Sequence, residues 1–270
     1  LNFNIMKIYL LGDLGGYTET TKNILNNIKK KINKEDIYFL LGDNFYPNGV
    51  KDISDSQWEN IKNINSNPIY SVLGNHDYLG SINAQINADI SNWNMENNYY
   101  MKTIKSIDFF FIDTSILQPS YSNLDYKIVN SKLDKSPIIA KKEMIDWLNN
   151  NLKLSANPKV IIGHYPMISY GMNGINHDLI LDLLPIIRKH KVKYYISGHD
   201  HNLQIVDIIS KDFSMKQLIS GATSYLYPVL KNKSEKVFYK YGYIVIDIDL
   251  NTITIFDSLE NVLLVEDFLL

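Results

Sequence analysis

Short apolar runs, rich in β-branched and aromatic residues, recur along the first two thirds of the chain, and longer segments with helical spacing separate them. Continuous apolar runs bounded by helices are typical of strands whose two faces are both buried. The runs predict strands at Ile8–Leu11, Ile37–Leu41, Ile69–Leu73, Phe109–Ile112, Val160–Ile162 and Tyr194–Ile196. The segments between them predict helices at Thr18–Lys31, Ser81–Ile90, Ile138–Leu152 and His177–His190.

The pattern changes after His201, where strand-like runs follow one another with little helix between them. These runs lie at Gln204–Ile209, Lys216–Ile219, Phe238–Asp247 and Thr252–Phe256. They predict a second sheet of antiparallel character. The sequence shows no linker and no repeat, so we expect an α/β protein with two packed β-sheets flanked by helices, in a single domain from residue 1 to residue 270.

Five of the predicted strands end in the same way, with a glycine followed by a residue that can bind a metal ion. The five pairs are Gly12-Asp13, Gly42-Asp43, Gly74-Asn75, Gly163-His164 and Gly198-His199. Glycine lets the backbone turn sharply where a strand leaves its sheet. Ligands of open α/β sheets gather outside the carboxyl ends of the strands. Parallel neighbours would therefore bring all five strand ends to one edge, and their joint occurrence favours a common site over five unrelated turns.

The composition restricts the chemistry of that site. The 270-residue chain contains no cysteine, which excludes disulfides and thiolate ligands, so a metal ion must bind to oxygen and imidazole ligands. The chain is 45% hydrophobic and 21% charged, with a formal net charge of -2. This near-neutral balance gives no electrostatic footprint for nucleic acid or for an anionic membrane, and we expect neither as a partner.

The motifs around these pairs resemble the metallophosphoesterase superfamily and, within it, the purple acid phosphatases. The resemblance runs from about Asp13 to about Asp207 and is closest to the small single-domain type similar to mammalian tartrate-resistant acid phosphatase. It rests on Gly42-Asp43-Asn44-Phe45-Tyr46, Gly74-Asn75-His76-Asp77, Gly163-His164-Tyr165-Pro166 and Gly198-His199-Asp200-His201. It implies a four-layer fold in which two mixed sheets form a β-sandwich covered by helices.

The resemblance also implies a ligand set for two metal ions. Asp13, Tyr46 and His201 would bind Fe(III), and Asp43 would bridge the two ions. The second ion, a divalent Fe, Zn or Mn, would be bound by Asn75, His164 and His199. The side chains sort by charge in the same way, because a carboxylate and a phenolate suit a hard trivalent ion, whereas neutral donors suit a divalent one.

Tyr46 separates this family from its relatives. Free tyrosine titrates near ~10, so a phenolate ligand requires an ion acidic enough to remove the proton. Many other metallophosphoesterases carry a histidine two positions after the first aspartate, and Gly15 stands there in this chain. The alternative is that Tyr46 simply packs beside Pro47.

The implied activity is hydrolysis of phosphate monoesters by in-line attack of a metal-bound hydroxide. His76 is predicted to bind the phosphate and to donate a proton to the leaving group. Alternatively, His76 orients Asp13 or Asn75. Asn173 stands where related enzymes carry another active-site histidine, and we expect it to bind the phosphate without acting as an acid. His177 could substitute for that histidine, but it also fits the start of a helix.

Three nearby aspartates are not predicted to bind metal. Asp113 ends a strand but lacks a preceding glycine, whereas Asp77 and Asp200 lie beside ligands and are expected to orient them. Other functions also stay open: a phosphodiesterase or nucleotide phosphohydrolase of the same superfamily, and a non-catalytic scaffold derived from the same fold.

The expected substrate is a phosphorylated small molecule or a phosphoprotein, and the expected state is a monomer. The resemblance implies a secreted or lysosome-like location for a soluble protein, although no signal peptide is visible. The apolar run from Ile5 to Leu11 is short and contains Lys7, so it is predicted as a strand.

Overall fold

The computed structural model describes residues 5–118, 128–129, 131–230 and 236–270. Its strands are β1 (Lys7–Leu11), β2 (Ile37–Leu40), β3 (Ile69–Ser71), β4 (Trp93–Asn94), β5 (Tyr100–Ile104), β6 (Ile107–Phe111), β7 (Lys159–Ile162), β8 (Tyr194–Ser197), β9 (Leu203–Ser210), β10 (Phe213–Ser220), β11 (Val237–Phe238), β12 (Gly242–Asp247), β13 (Thr252–Asp257) and β14 (Val262–Asp267). Its helices include α1 (Glu19–Lys29), α2 (Trp58–Lys62), α3 (Ile82–Ile86), α4 (Pro137–Leu154) and α5 (His177–Lys189).

The strands form two seven-stranded sheets, in the orders β14-β13-β12-β1-β2-β3-β4 and β11-β9-β10-β8-β7-β6-β5. Both sheets are mixed. In the first, β1, β2, β3 and β4 run parallel, and β12 pairs antiparallel with β1 through a register that sets Lys7 opposite Asp247. In the second, β6, β7, β8 and β10 run parallel, whereas β9 is antiparallel to β10. The predicted α/β fold of two mixed sheets is therefore confirmed.

The two sheets pack face to face through aromatic side chains. The ring of Phe39, on β2, meets the rings of Phe109 and Phe111, on β6, at centroid distances of 5.1 and 5.0 Å and interplanar angles of 77°. Such edge-to-face contacts are a favoured geometry for buried aromatic pairs. All three residues are fully buried, so the main core lies between the sheets.

Helices α1 and α5 begin where the sequence supplies a side-chain cap. The Thr18 side chain accepts a hydrogen bond from the backbone N–H of Thr21 at the start of α1. Asn176 caps α5 in the same way, accepting from the backbone N–H of Leu179. Helix α4 buries one side chain per turn along a single face, at Ala140, Met144, Leu148 and Leu152. No helix in the described residues is both long and apolar enough to cross a membrane.

Three details of the predicted fold are wrong. The C-terminal strands do not form a sheet of their own, because β9–β11 extend the sheet of β8 and β12–β14 extend the sheet of β1. The run Phe238–Asp247 contains two strands in different sheets, and the break falls at Tyr239–Tyr241, where Lys240 interrupts the apolar and aromatic residues. The helix expected at Ser81–Ile90 ends at Ile86, after which polar residues replace the apolar spacing.

Candidate metal centre

The five strand ends singled out in the sequence come together, but from two sheets and not from one. β1, β2 and β3 belong to the first sheet, and β7 and β8 belong to the second. The prediction of a single sheet edge is therefore wrong in that respect. It assumed that consecutive strands continue one sheet, whereas here the chain starts a second sheet after β4. The site lies where the carboxyl ends of both parallel regions face each other.

The backbone at these strand ends is held in an uncommon conformation. Asp13, Asp43 and His199 have φ values of 57°, 52° and 64°, in the left-handed region. Residues other than glycine rarely adopt this region, and it costs on the order of 1–3 kcal/mol, a strain that clusters at functional sites. Gly42 has a φ of 86°, and a Cβ atom there would lie 2.6 Å from Nδ1 of His164. The strand ends can approach one another because glycine occupies that position.

The first group of donor atoms comprises Asp13, Tyr46 and His201 together with one oxygen of Asp43. The Tyr46 hydroxyl lies 3.0 Å from Oδ1 of Asp13, 2.7 Å from Oδ2 of Asp43 and 3.2 Å from Nε2 of His201. Nε2 of His201 lies 3.2 Å from Oδ1 of Asp13. The hydroxyl has one proton and can donate it to one carboxylate oxygen at a time. While the hydroxyl donates to Asp43, its oxygen and Oδ1 of Asp13 face each other with no proton between them.

The second group comprises Asn75, His164 and His199 together with the other oxygen of Asp43. Nε2 of His164 lies 3.2 Å from Oδ1 of Asn75, 3.2 Å from Nδ1 of His199 and 3.5 Å from Oδ1 of Asp43. Nδ1 of His164 lies 2.8 Å from the carbonyl oxygen of Leu41, to which its N–H donates. Nε2 of His164 therefore faces two oxygens, Oδ1 of Asn75 and Oδ1 of Asp43, that can only accept hydrogen bonds.

Asp43 lies between the two groups and has an oxygen in each. Its Oδ2 faces the Tyr46 hydroxyl, and its Oδ1 faces Nε2 of His164. The backbone N–H of His76 donates to Oδ1 over 2.9 Å, which fixes the orientation of the carboxylate. Asp43 is 2% exposed, so water cannot replace these partners.

The electrostatics of the first group are dominated by burial and by the Asp13–His201 contact. Burial pushes the pKa of Asp13 upward, but His201 together with the charges of His164 and His199 outweighs burial, and the pKa of Asp13 lies below its ordinary value. Burial pushes the pKa of His201 downward, but Asp13 together with the charges of Asp43 and Asp200 outweighs burial, and the net shift is upward. Burial and the carboxylates of Asp13 and Asp43 raise the pKa of Tyr46 well above 10. A cation nearby would reverse that preference and favour the phenolate.

In the second group, the surroundings of His199 favour its neutral imidazole form. Removal from solvent and the neighbouring His164 hold the pKa of His199 well below its ordinary value. Neutral imidazole is the form that binds metal ions.

The side chains of the two donor groups are arranged to bind a cation. Asp13, Asp43 and His164 each offer a ligand atom, all within 4.8 Å of one another, and all three residues are buried. Buried lone pairs that face one another without protons are unfavourable unless a positive charge lies between them. The Nδ1–H group of His164 donates a hydrogen bond to the carbonyl oxygen of Leu41. A hydrogen bond of this kind orients metal-bound histidines. Oxygen and imidazole donors suit first-row transition metals.

Asp77 is buried and connects the segments that follow β2 and β3 through hydrogen bonds. It accepts hydrogen bonds from the backbone N–H groups of Gly74, at 2.8 Å, and of Asn44, at 3.1 Å, and from the side chain of Gln85, at 3.0 Å. Burial and the charge of Asp43 raise the pKa of Asp77 to about 7. These bonds hold the segment with Asn75 against the segment with Asp43, in agreement with the orienting role expected for Asp77.

The other two aspartates also have partners outside the donor groups. Asp200 is buried and accepts a hydrogen bond from the Ser169 hydroxyl. Asp113 accepts from the Tyr78 hydroxyl and from the backbone N–H of Ser115, and burial raises the pKa of Asp113 to about 6. Both carboxylates hold loops in place.

The predicted substrate residues differ in their relation to the donor groups. His76 is half-buried, its ring lies 4.5 Å from the Tyr46 ring, and its Nδ1–H donates to the carbonyl oxygen of Pro47 over 2.6 Å. Asn173 lies on the loop before α5, where its backbone N–H donates to the Asp200 carboxylate. His177 is exposed at the first residue of α5.

A cavity of about 710 Å³ opens beside the first donor group. It is lined by Gly16, Tyr46, Pro47, His76, His201, Tyr225, Leu226, Tyr227 and Tyr241. Four of these lining residues, Tyr225, Leu226, Tyr227 and Tyr241, lie outside every motif that the sequence predicts to belong to the site. The available signal was the aromatic sequence Tyr225-Leu226-Tyr227 in a segment without regular secondary structure.

Comparison with known proteins agrees with this architecture. The model of the calcineurin-like phosphoesterase family matches residues 6–203. The chain is 30% identical over 252 residues to tartrate-resistant acid phosphatase type 5 of Sus scrofa, which covers 84% of this chain and 72% of the relative. It is 32% identical over 188 residues to purple acid phosphatase 7 of Arabidopsis thaliana, covering 63% of this chain and 56% of the relative.

Among solved structures, the fold is similar to that of GAP50, the anchor in the inner membrane complex of Plasmodium. The TM-score is 0.75 at 24% identity, over 97% of this chain and 88% of the other. At that level of identity the likeness concerns the fold alone.

The chain belongs to the calcineurin-like phosphoesterases, the metallophosphoesterase superfamily. Within it, its relatives are the tartrate-resistant and purple acid phosphatases. The resemblance drawn from the motifs is confirmed. Membership of this family makes the chain a hydrolase of phosphoric ester bonds and implies the use of a binuclear metal centre.

Proposed function

We propose that this protein hydrolyses phosphate monoesters at a centre of two metal ions bridged by Asp43. The observation that carries the proposal is the division of the seven side chains into two groups of donor atoms, with one Asp43 oxygen in each. A water oxygen forms the new bond to phosphorus as the bond to the leaving alcohol breaks, and the alkoxide takes up a proton. When bound, the ions would make water easier to deprotonate and neutralise charge on the phosphoryl oxygens.

We assign Fe(III) to the group of Asp13, Tyr46 and His201, and a divalent ion (Fe, Zn or Mn) to the group of Asn75, His164 and His199. The support is chemical. The first group offers a carboxylate and a phenol whose deprotonation requires a strongly acidic ion, because burial and two carboxylates raise the pKa of Tyr46. The second group offers an amide oxygen and neutral imidazoles, which suit a divalent ion.

Within this proposal His76 is the proton donor and Asn173 contributes to phosphate binding. The hydrogen bond from Nδ1–H of His76 to the carbonyl oxygen of Pro47 fixes the ring at the cavity wall. In the imidazolium form of the ring, Nε2–H can deliver a proton to the leaving oxygen. Asn173 can donate an amide hydrogen bond but cannot act as an acid. The substrate is a phosphorylated small molecule or a phosphoprotein, and the protein acts as a monomer of one domain.

The proposal is tested by measuring metal content and ester hydrolysis on the same preparation. We expect two metal ions per chain, and faster hydrolysis of p-nitrophenyl phosphate than of bis(p-nitrophenyl) phosphate. Removal of the ions with a chelator should abolish hydrolysis, and adding Fe and Zn back should restore it. Preference for the diester would instead support a phosphodiesterase, the alternative within the same superfamily.

A scaffold without catalytic activity is the second candidate, because a Plasmodium protein of similar fold is named as an anchor. The same experiment separates the two functions. A preparation that stays metal-free and inactive after incubation with Fe and Zn would support the scaffold. The division of the seven side chains into two donor groups argues for retained metal binding.

Tyr46→Phe tests the assignment of the ferric ion. Phenolate bound to Fe(III) absorbs visible light, so we expect wild-type protein loaded with iron to be pink or purple and the variant to lose that absorption band. Hydrolysis should fall less than the colour does, because the carboxylates of Asp13 and Asp43 and the imidazole of His201 remain. The check is a visible spectrum at equal iron content, and an unchanged band in Tyr46→Phe would refute the phenolate assignment.

A further inference from the structure

The cavity beside the first donor group has an aromatic wall. Tyr225, Tyr227 and Tyr241 line it together with Tyr46, His76 and His201. Tyr225 is 39% exposed and Tyr227 is 42% exposed, so part of each side chain is open to solvent. A phosphoryl group held between the donor groups would place its leaving group on this side of the centre.

The rings of Tyr225 and Tyr227 contact the rings of the proposed metal ligands. The Tyr227 ring stacks on the His201 ring at a centroid distance of 4.2 Å and an angle of 23°. The Tyr225 ring is also nearly parallel to that of His201, at 5.7 Å, and meets the Tyr46 ring edge-on at 5.3 Å. Flat surfaces of this kind favour stacking of another planar ring.

The wall is held in place before any ligand arrives. The backbone N–H of Tyr227 donates to the carbonyl oxygen of His201 over 2.8 Å. The ring of Tyr225 packs on the backbone of Gly16 so closely that a Cβ atom there would lie 2.7 Å from the ring. A surface that is already ordered loses little entropy on binding, and its contacts therefore contribute more of their energy to affinity.

The wall also lacks charge. Among the residues that line the cavity in the described part of the chain, none is Asp, Glu, Lys or Arg. A charged leaving group, such as the remainder of a nucleotide, would lose hydration here without an ion-pair partner. A planar uncharged group would instead replace water on apolar ring faces, at little cost in polar contacts.

We propose that Tyr225 and Tyr227 form a leaving-group subsite that selects phosphate esters of aromatic alcohols. The inference rests on the proposed phosphatase function and adds a substrate class to it. The family model ends at residue 203, so both tyrosines lie outside the motifs that define the family. The same phenyl phosphate chemistry occurs in small aryl phosphates and in phosphotyrosine, and both sources must be assayed.

Inhibition by phosphonates tests the subsite independently of leaving-group reactivity, because phosphonates are not hydrolysed. We expect phenylphosphonate to inhibit the metal-loaded protein roughly tenfold more tightly than methylphosphonate, the scale of one favourable aromatic contact. In the double variant Tyr225→Ala/Tyr227→Ala the two inhibition constants should come within about twofold of each other, since the contact is lost. Tyr239→Ala is the matched control, because Tyr239 is 54% exposed and does not line the cavity, and it should keep the preference.

Equal inhibition by the two phosphonates in the wild-type protein, or a preference that survives in the double variant, would overturn the subsite. If the double variant loses its metal ions, Tyr225→Leu replaces it, because Tyr225 stacks less closely on His201 than Tyr227 does. The preference should then weaken, since one of two ring contacts is lost, and an undiminished preference overturns the subsite. Failure of the proposed function looks different: no ester is hydrolysed and neither phosphonate binds.

Two peptides distinguish the sources of the aryl phosphate. A phosphotyrosine peptide hydrolysed faster than the matching phosphoserine peptide, with a preference that depends on Tyr225 and Tyr227, indicates a phosphoprotein source. A preference confined to phenyl phosphate over glycerol phosphate, and lost in the double variant, indicates a small-molecule source. Both results support the subsite, whereas equal treatment of aryl and alkyl esters by wild type and double variant counts against it.

Discussion

Asp43→Asn is expected to reduce kcat/KM of the metal-treated protein by at least about 10³-fold, the upper range for loss of one group that stabilises transition-state charge. Metal content should fall from two ions per chain to one or fewer. Asp43 has one carboxylate oxygen in each donor group, so replacing it with a neutral amide weakens both groups at once. Metal analysis and hydrolysis of p-nitrophenyl phosphate on the same sample provide the measurement.

Asp113→Asn is the matched control for that experiment. Asp113 is fully buried and also follows a strand, but it accepts hydrogen bonds from Tyr78 and Ser115 and lies outside both donor groups. We expect this variant to keep two metal ions even if its stability falls. An Asp43→Asn variant that retained both ions would exclude the bridging role.

His164→Ala is expected to lower kcat/KM roughly 10²–10³-fold while the fold survives, since one ion that stabilises transition-state charge is lost. Nε2 of His164 faces Asn75, His199 and Asp43, and of these only Asp43 also has an oxygen in the first donor group. The variant should therefore lose one ion and keep the visible band of the other. Circular dichroism shows whether the fold is intact, and metal analysis shows which ion is missing.

His177→Ala serves as the comparison for His164→Ala. His177 is exposed at the start of α5 and has no contact with either donor group among the described hydrogen bonds. Its replacement should leave kcat/KM within about twofold of wild type, as surface substitutions usually do. A large loss at His177 with little change at His164 would transfer the catalytic role to His177 and remove His164 from the metal centre.

The sequence predicts much of the site because its pattern is local and repeated. Each strand end carries a glycine and a donor side chain within two positions, as in Gly42-Asp43 and Gly163-His164. Fully buried strands read as unbroken apolar runs, so strand and donor are found together. The division of the side chains into two donor groups required the family resemblance, since no local pattern states which strand ends will meet.

The remainder depends on contacts between distant segments. Pairing of β12 with β1 and of β10 with β8 distributes the last third of the chain between both sheets, and periodicity within each strand carries no signal for its neighbour. Tyr225 and Tyr227 are part of the cavity because the carbonyl oxygen of His201 fixes their segment. A tyrosine in an irregular segment has no spacing that marks it as part of a site.

The pairing of Lys7 with Asp247 has a consequence for synthesis in the cell. β1, which leads into Asp13, is synthesised well before its antiparallel neighbour β12. β12 leaves the ribosome roughly 240 positions later, about 10–50 s at translation rates of 5–20 residues per second. During that interval the edge of β1 is unpaired and open to association with other chains. Nascent chains should therefore complete this sheet only after β12 has emerged, and their demand for chaperones should persist until then.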